Sequence, residues 1–257
     1  MEPVKGRWYA KVAVKVTPQI EHSSRSTSKA GVDLGREILA AVAVEDGHAL
    51  LYRGGPLKSD FHYFERKIAK IDRALADPKS EEIDRAVLRA ERRRLYGKRR
   101  RRRDQTFANL AAHLARELAK RGVGIVFVGY PRDIAHDHAG KENVNFWSYR
   151  GLLQRLATAL ENRGIALFTV PEDGTSRVCA KHGCKVVRGP RGLVRCPFNH
   201  VAHADVNAAS NILKRGASTL GLAVELPERV RALSFVAAPS GVIKRKRKNH
   251  NPALKAG

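Results

Sequence analysis

Residues 30–55 read AGVDLGREILAAVAVEDGHALLYRGG. Two apolar runs are joined here by short turn-rich segments, and Asp46-Gly47 is a hairpin signal, so the stretch predicts an antiparallel hairpin or meander. Asp33 falls in the middle of the first apolar run. A carboxylate in such a strand is expensive to bury unless it binds metal or is otherwise paired.

Working outward, WYAKVAVKV at 8–16 alternates apolar and polar residues as a strand does, and the polar run from His22 to Lys29 reads as a linker. Downstream, from about Phe61 to Arg121, apolar residues recur at three- and four-residue steps within charge, the pattern of helix, and Gly122 is a stop signal. GIVFVGYP at 124–131 and IALFTVPE at 165–172 are short continuous apolar runs, expected as strands buried on both faces. Between them lie a polar loop, Arg132–Asn145, and an amphipathic segment, FWSYRGLLQRLATALENRG at 146–164. Strand, helix, strand in that order predicts a right-handed crossover in a mixed sheet. HADVNAASNILKRG at 203–216 reads as a further helix. The tail after about Leu226, ending in KRKRK at 244–248, reads as loop.

Composition narrows the partners. Hydrophobic residues make up 43% of the 257, enough for a packed core. Forty-nine Lys and Arg against twenty-five Asp and Glu give a formal charge of +24, which favours polyanions and points to nucleic acid. A thermophilic surface would balance its cations with Glu, and this chain does not. No stretch approaches twenty apolar residues and the first sixteen lack an apolar signal region, so a cytoplasmic, nucleoid-associated location without membrane contact is expected. The densest charge is RRRLYGKRRRRR at 92–103, where nine of twelve residues are basic: Arg92, Arg93, Arg94, Lys98, Arg99, Arg100, Arg101, Arg102 and Arg103. Phosphate is the natural ligand for such a run, since arginine makes bidentate contacts that lysine cannot. Tyr130, Phe146, Trp147 and Tyr149 cluster around the start of the amphipathic segment at 146–164, either as core or as stacking surfaces for unpaired bases.

The three cysteines fall in one window, CAKHGCKVVRGPRGLVRCPFNH at 179–200. Cys179-x-x-His182 and Cys196-x-x-x-His200 make two ligand pairs, with VV and LV as hairpin strands and RGPRG as the turn. This is how a zinc ribbon closes a tetrahedral, structural site. Cys184 is an alternative to His182 in the first pair. Asp205 follows at the start of the next helix, where a carboxylate also complements the helix dipole.

Taken together, GVDLG, the helical insertion, the strand–helix–strand unit, TSRVC with its ribbon, and ADVNAASNILKR closely resemble the TnpB (OrfB) family, transposon-encoded relatives of the type V CRISPR effectors, over about Ala30 to Arg215. GYP followed by NFWSYR looks like an archaeal branch. The resemblance implies an α/β fold, an RNase H-like (RuvC) mixed sheet with a helical insertion and an inserted zinc ribbon. It divides the chain into 1–29 (strand and linker, a remnant of a β-barrel), 30–60 (core), 61–122 (basic helical insertion), 123–177 (core), 178–201 (ribbon), 202–226 (C-terminal helix of the core) and 227–257 (basic flexible tail). It implies an RNA-guided endonuclease in which carboxylates hold two Mg²⁺ or Mn²⁺ ions about 4 Å apart. Guide-like RNA and DNA would be the partners, with the basic insertion lying against their heteroduplex. Asp33 and Asp205 would be the first and third acids of that site. The family's middle glutamate falls at about Gly129, where neither Gly129 nor Tyr130 offers a carboxylate. Glu172, ending the neighbouring strand, is the candidate replacement, ahead of Asp173 and Asp133. The alternative is a descendant that has lost cleavage and binds RNA or DNA as a repressor or ribonucleoprotein component. Only thirty-two residues precede Asp33, so a protein partner replacing the family's N-terminal lobe is also expected.

Overall fold

Seven strands build the main sheet, and their composition explains its middle. The computed structural model describes residues 2–4, 7–9, 28–78, 81–130 and 148–245. Strands β1 (Glu2–Val4) and β2 (Arg7–Tyr9) pair antiparallel in a separate ribbon. The remainder of the strand read at 8–16, Asp133, Phe146, Trp147 and most of the KRKRK run lie outside the described residues. Strands β3 (Ser28–Asp33), β4 (Ile38–Val44) and β5 (His48–Arg53) form the expected antiparallel meander, turning through Asp46-Gly47, where Gly47 has φ +90°. All seven residues of β4 are buried, as a continuous apolar run covered on both faces should be. Asp33 stands at the end of β3 rather than at its middle, because the chain leaves the ladder there.

The helical stretch is two helices, α1 (Gly55–Ala76) and α2 (Glu82–Ala119). The first starts six residues before Phe61, with Pro56 in its opening turn, where a missing N–H costs nothing. Helix α2 has 38 residues and is about 57 Å long. Its C-terminal half, through Phe107, Leu110, Leu114 and Leu118, packs under the sheet. Its N-terminal half meets α1 around a small apolar cluster of Phe64, Ile68 and Leu95. Then come β6 (Val123–Tyr130), α3 (Tyr149–Glu161) and β7 (Ala166–Pro171), with β6 parallel to both β3 and β7.

Two expectations are corrected. Strand β7 is not buried on both faces. It is the edge of the sheet, and Ala166, Phe168 and Thr169 are exposed. Residues 231–244, read as a loop-like tail, are strands β11 (Arg231–Ala238) and β12 (Gly241–Lys244), completing the order β12-β11-β5-β4-β3-β6-β7. Strand β11 lies parallel to β5, a partner some 180 residues away, so long-range pairing decides its conformation where local pattern does not. Asn109 of α2 holds the β11–β12 turn by donating to the carbonyls of Ala238 and Pro239, each at 3.0 Å.

Between β7 and β11 the ribbon strands β8 (Val187–Arg188), β9 (Leu193–Arg195) and β10 (Val201–His203) lead into α4 (Ala204–Thr219). Helices α1, α2 and α3 cover one face of the main sheet and α4 the other, giving three layers. Gly31 makes the second face possible. A Cβ there would lie 2.1 Å from the Ala209 carbonyl oxygen and 2.6 Å from the Leu213 nitrogen, so only glycine lets α4 lie this close to β3. That approach brings the first turn of α4 to the end of β3. No described helix is long and apolar enough to cross a membrane.

Candidate active site and metal centre

Strands β3 and β6 run parallel in register, Val32 beside Val128, so Asp33 and Gly129 emerge at neighbouring strand ends. On the other side of β6, Tyr130 pairs with Pro171, and Glu172 follows directly. Asp205 comes from the first turn of α4, anchored by Val206 against Ile38, Ala41 and Leu51. The three carboxylates named from sequence therefore meet at one end of the sheet.

Their electrostatics record that meeting. Burial, then the charges of Asp205 and Glu172, push the Asp33 carboxyl up to about 7, against the pull of Arg188 from the ribbon. Burial and then Asp173 raise Glu172 as well. Its Oε2 is buried with no hydrogen-bond partner, although burying an unpaired carboxylate oxygen costs several kcal/mol unless a cation or proton joins it. His203 Nδ1, also without a hydrogen bond, lies 3.7 Å from Asp205 Oδ2.

Gly129 explains the missing acid in space. A Cβ at that position would lie 3.1 Å from Glu172 Oε2 and 3.3 Å from Glu172 Cβ. Glu172 thus fills the volume that a side chain at 129 would enter. Tyr149 donates a short hydrogen bond to the Gly129 carbonyl, and its ring meets Tyr130 edge-on at 5.9 Å. Burial first, then Glu172 and Asp33, hold its hydroxyl well above the usual tyrosine range. Tyr149 is core, while Tyr130 is exposed.

In the ribbon, Cys179, His182 and Cys196 bring one ligand atom each within 4.8 Å of one another, a group that could hold a metal ion. His182 Nδ1 lies 3.7 Å from Cys179 Sγ and 3.3 Å from Cys196 Sγ, and His200 Nδ1 lies 3.2 Å from Cys179 Sγ. A tetrahedral zinc with sulfur and nitrogen ligands has edges of about 3.6 Å, so this donor set fits. Burial opposes ionisation of the Cys196 thiol, but His182 and the backbone at His200 and Phe198 bring it down to about 7. Burial and then the neighbouring Cys196 raise the Cys184 thiol.

Sequence reading missed what fastens this ribbon. Asn207 accepts from the Ala180 N–H at 2.9 Å and donates to the Val178 carbonyl at 2.7 Å. Asn211 donates to the carbonyls of Thr175 and Val178, and Lys214 to that of Ala180. The signal was legible: Asn207, Asn211 and Lys214 fall on one helical face, just after the ligand pairs.

The basic run divides by face. Arg92, Arg99 and Arg102 turn toward α1, where they pair with Asp72, Glu65 and Asp60. Arg103 pairs with Asp104, and Arg94 with Glu91 in the preceding turn. The guanidiniums of Arg92 and Arg99 each lie 5.0 Å from the centre of the Tyr96 ring. Arg93, Lys98, Arg100 and Arg101 are exposed, with no ion pair recorded among the described residues. At 100° per residue these four span about 160° of the helix surface.

Comparison with known proteins agrees with this architecture. Residues 11–135 match the OrfB model, described as a probable transposase, and residues 149–212 match the Cas12f1-like TNB domain. Over 211 residues the chain is 36% identical to the TnpB-like protein ORF457 of Acidianus two-tailed virus, covering 80% of this chain and 45% of the relative. The chain thus spans about half the length of that curated relative. Its fold matches Cas12f1 in a complex with sgRNA and target DNA, at TM-score 0.54 and 18% identity over 76% of this chain and 52% of that one. It also matches a CRISPR-Cas12f ternary complex, at TM-score 0.53 and 18% identity over 80% and 40%. The sheet is therefore RuvC-like, and the chain belongs to the OrfB family of TnpB-like, transposase-associated proteins.

Proposed function

We propose that this protein is an RNA-guided, divalent-metal-dependent DNA endonuclease whose metal-holding carboxylates are Asp33, Glu172 and Asp205. The observation that carries this reading is the Glu172 side chain lying over Gly129, with an unpartnered buried oxygen, beside the carboxylate of Asp33. Burial, then Asp205 and Glu172, raise the Asp33 carboxyl, and three carboxylates converging in this way form a set that hard divalent cations relieve. Mg²⁺ or Mn²⁺ held there would supply Lewis-acid stabilisation of a scissile phosphate and a nucleophilic water. The chain's own contribution is to orient the acids. The close α4–β3 packing at Gly31 sets Asp205 beside Asp33, and Tyr149 fixes the end of β6 through the Gly129 carbonyl. The ribbon, with zinc on Cys179, His182, Cys196 and His200, would brace the same end of the fold through Asn207, Asn211 and Lys214.

Arg93, Lys98, Arg100 and Arg101 are proposed as the phosphate-contacting face. Gly97 lies within their sector, and a Cβ there would meet only Arg101 Nη1, at 3.4 Å. A mid-helix glycine costs about 1 kcal/mol relative to alanine, which close approach of a phosphate strand would offset. The expected result is that Gln at all four positions lowers the slope of log K against log salt on duplex DNA by about 2–4. Arg92→Gln with Arg102→Gln should instead lower thermal stability and leave that slope alone. Equal effects on the slope would remove the division of faces.

The experiment that tests the function is incubation of the purified protein, with and without its co-purifying RNA, on single-stranded and duplex DNA in Mg²⁺ or Mn²⁺. Cutting that EDTA stops and that Asp205→Ala abolishes is expected. Intact binding without cutting under any metal would make the protein a nucleic-acid-binding repressor or ribonucleoprotein component. A second polypeptide in the assembly would appear as a co-purifying chain in the same preparation.

A further inference from the structure

Glu172 occupies an unpromising place for a metal ligand. It follows β7, an edge strand paired on one side only, and its backbone lies beyond the last ladder pair, Tyr130 with Pro171. Strand ends of this kind fray, and a ligand on a fraying end would be displaced by more than a metal site tolerates. The structure holds it by other means. Arg215 of α4 donates from Nη1 to the Pro171 carbonyl at 2.5 Å and from Nη2 to the Asp173 carbonyl at 2.9 Å, spanning Glu172 from both sides. Thr175 donates to the Glu172 carbonyl twice, from its N–H at 3.0 Å and from Oγ1 at 2.8 Å. Thr175 is itself buried and tied to α4 by Asn211 through its carbonyl, at 2.7 Å.

We infer that Arg215 is a positioning residue for Glu172, fixing the relocated carboxylate by clamping the carbonyls on either side of it. The inference rests on the reading of Glu172 as a metal-holding residue. The same helix carries Asp205 in its first turn and Arg215 in its last part, so α4 sets two of the three carboxylates at once, one directly and one through the backbone of the β7 end. The guanidinium is the right group for this. Its planar fork presents two donors to two carbonyls separated by one residue, whereas an ammonium has a single centre. Arg215→Lys therefore keeps the charge and loses the clamp.

Mn²⁺ affinity of the protein without nucleic acid, read by the EPR signal of free Mn²⁺, separates positioning from bulk stability. Arg215→Lys is expected to weaken Mn²⁺ binding by about 10–100-fold, the range for residues that orient metal ligands. Turnover should fall with it while the KM for DNA stays put. In a Glu172→Gln background the same change should add less than about twofold, because residues acting through one another are not additive. Thr175→Val, which removes one of the two bonds to the Glu172 carbonyl, should shift Mn²⁺ affinity in the same direction by less and covers the case in which Arg215→Lys folds poorly. If Glu172→Gln weakens Mn²⁺ binding and neither Arg215→Lys nor Thr175→Val does, the positioning role is wrong and the site reading stands. If Glu172→Gln leaves Mn²⁺ affinity unchanged, both fall together.

Discussion

Asp33→Asn is expected to stabilise the metal-free protein and to abolish any metal-dependent cleavage. With its carboxyl raised to about 7 by burial and then by Asp205 and Glu172, native Asp33 keeps its proton where an unfolded chain, near 3.8, has lost it. The sign follows from linkage. The native state binds more protons between these values, so stability in EDTA falls as pH rises from about 4 to about 7 and is level above. Asp33 retains some contact with solvent, so the destabilisation at pH 8 is on the order of 2 kcal/mol rather than the larger value a fully dry site would give. Asparagine removes it, raising the unfolding midpoint at pH 8 in EDTA by about 4–8 °C for a chain of this size. Mn²⁺ should raise the midpoint of the wild type and not of the variant. A wild type whose stability in EDTA rises from pH 5 to pH 8 would show that these carboxylates do not crowd one another. Sites assembled for function commonly carry such a stability penalty.

The second large effect concerns the ribbon. Cys196→Ser is expected to release zinc, measured as metal per chain, and to expose residues 185–196 to proteolysis. Structural zinc supplies on the order of 10 kcal/mol to small ribbons, and strands of two and three residues have little else to hold them. The main sheet should survive, since its core lies between α2, α3 and β3 to β6 and does not depend on the ribbon. The neighbouring thiol gives a sharper comparison. With His182 as the fourth ligand, Cys184→Ser keeps one zinc per chain. Loss of zinc in that variant would transfer the role to Cys184.

Much of this was legible in the chain, and the parts that were not share a cause. The meander at 30–55 could be read because its turn residues and apolar runs are local, and the Cys/His spacing because ligand geometry constrains short separations. Asp33 stood out as a carboxylate set in an apolar run, and Asp205 through the family resemblance of ADVNAASNILKR. The strand at 231–238 was hidden because its pairing with β5 is long-range and its Ala-rich pattern alternates weakly. Strand β7 looked buried because its composition matches that of β6, and only the sheet order reveals it as an edge. The nine cations at 92–103 read as one patch, whereas the structure turns several of them to carboxylates of α1 that lie 20–42 residues away. The clamp of Arg215 on the β7 end was invisible for the same reason, since its partners are backbone carbonyls, which no sequence pattern marks.

If Glu172 supplies the carboxylate that position 129 lacks, a glutamate at 129 should substitute for it. Metal-dependent cleavage should be compared in wild type, Glu172→Ala, and Glu172→Ala combined with Gly129→Glu. Glu172→Ala removes the oxygen that a residue-129 Cβ would meet at 3.1 Å, leaving the Cβ at 172, at 3.3 Å, and the end of the Ile212 side chain, at 2.6 Å, to adjust. A loss of about 10³-fold is expected in Glu172→Ala, the several kcal/mol that go with removing a metal-holding acid, and a recovery of at least about tenfold in the double variant. Undiminished cleavage in Glu172→Ala would show that Glu172 holds no catalytic metal.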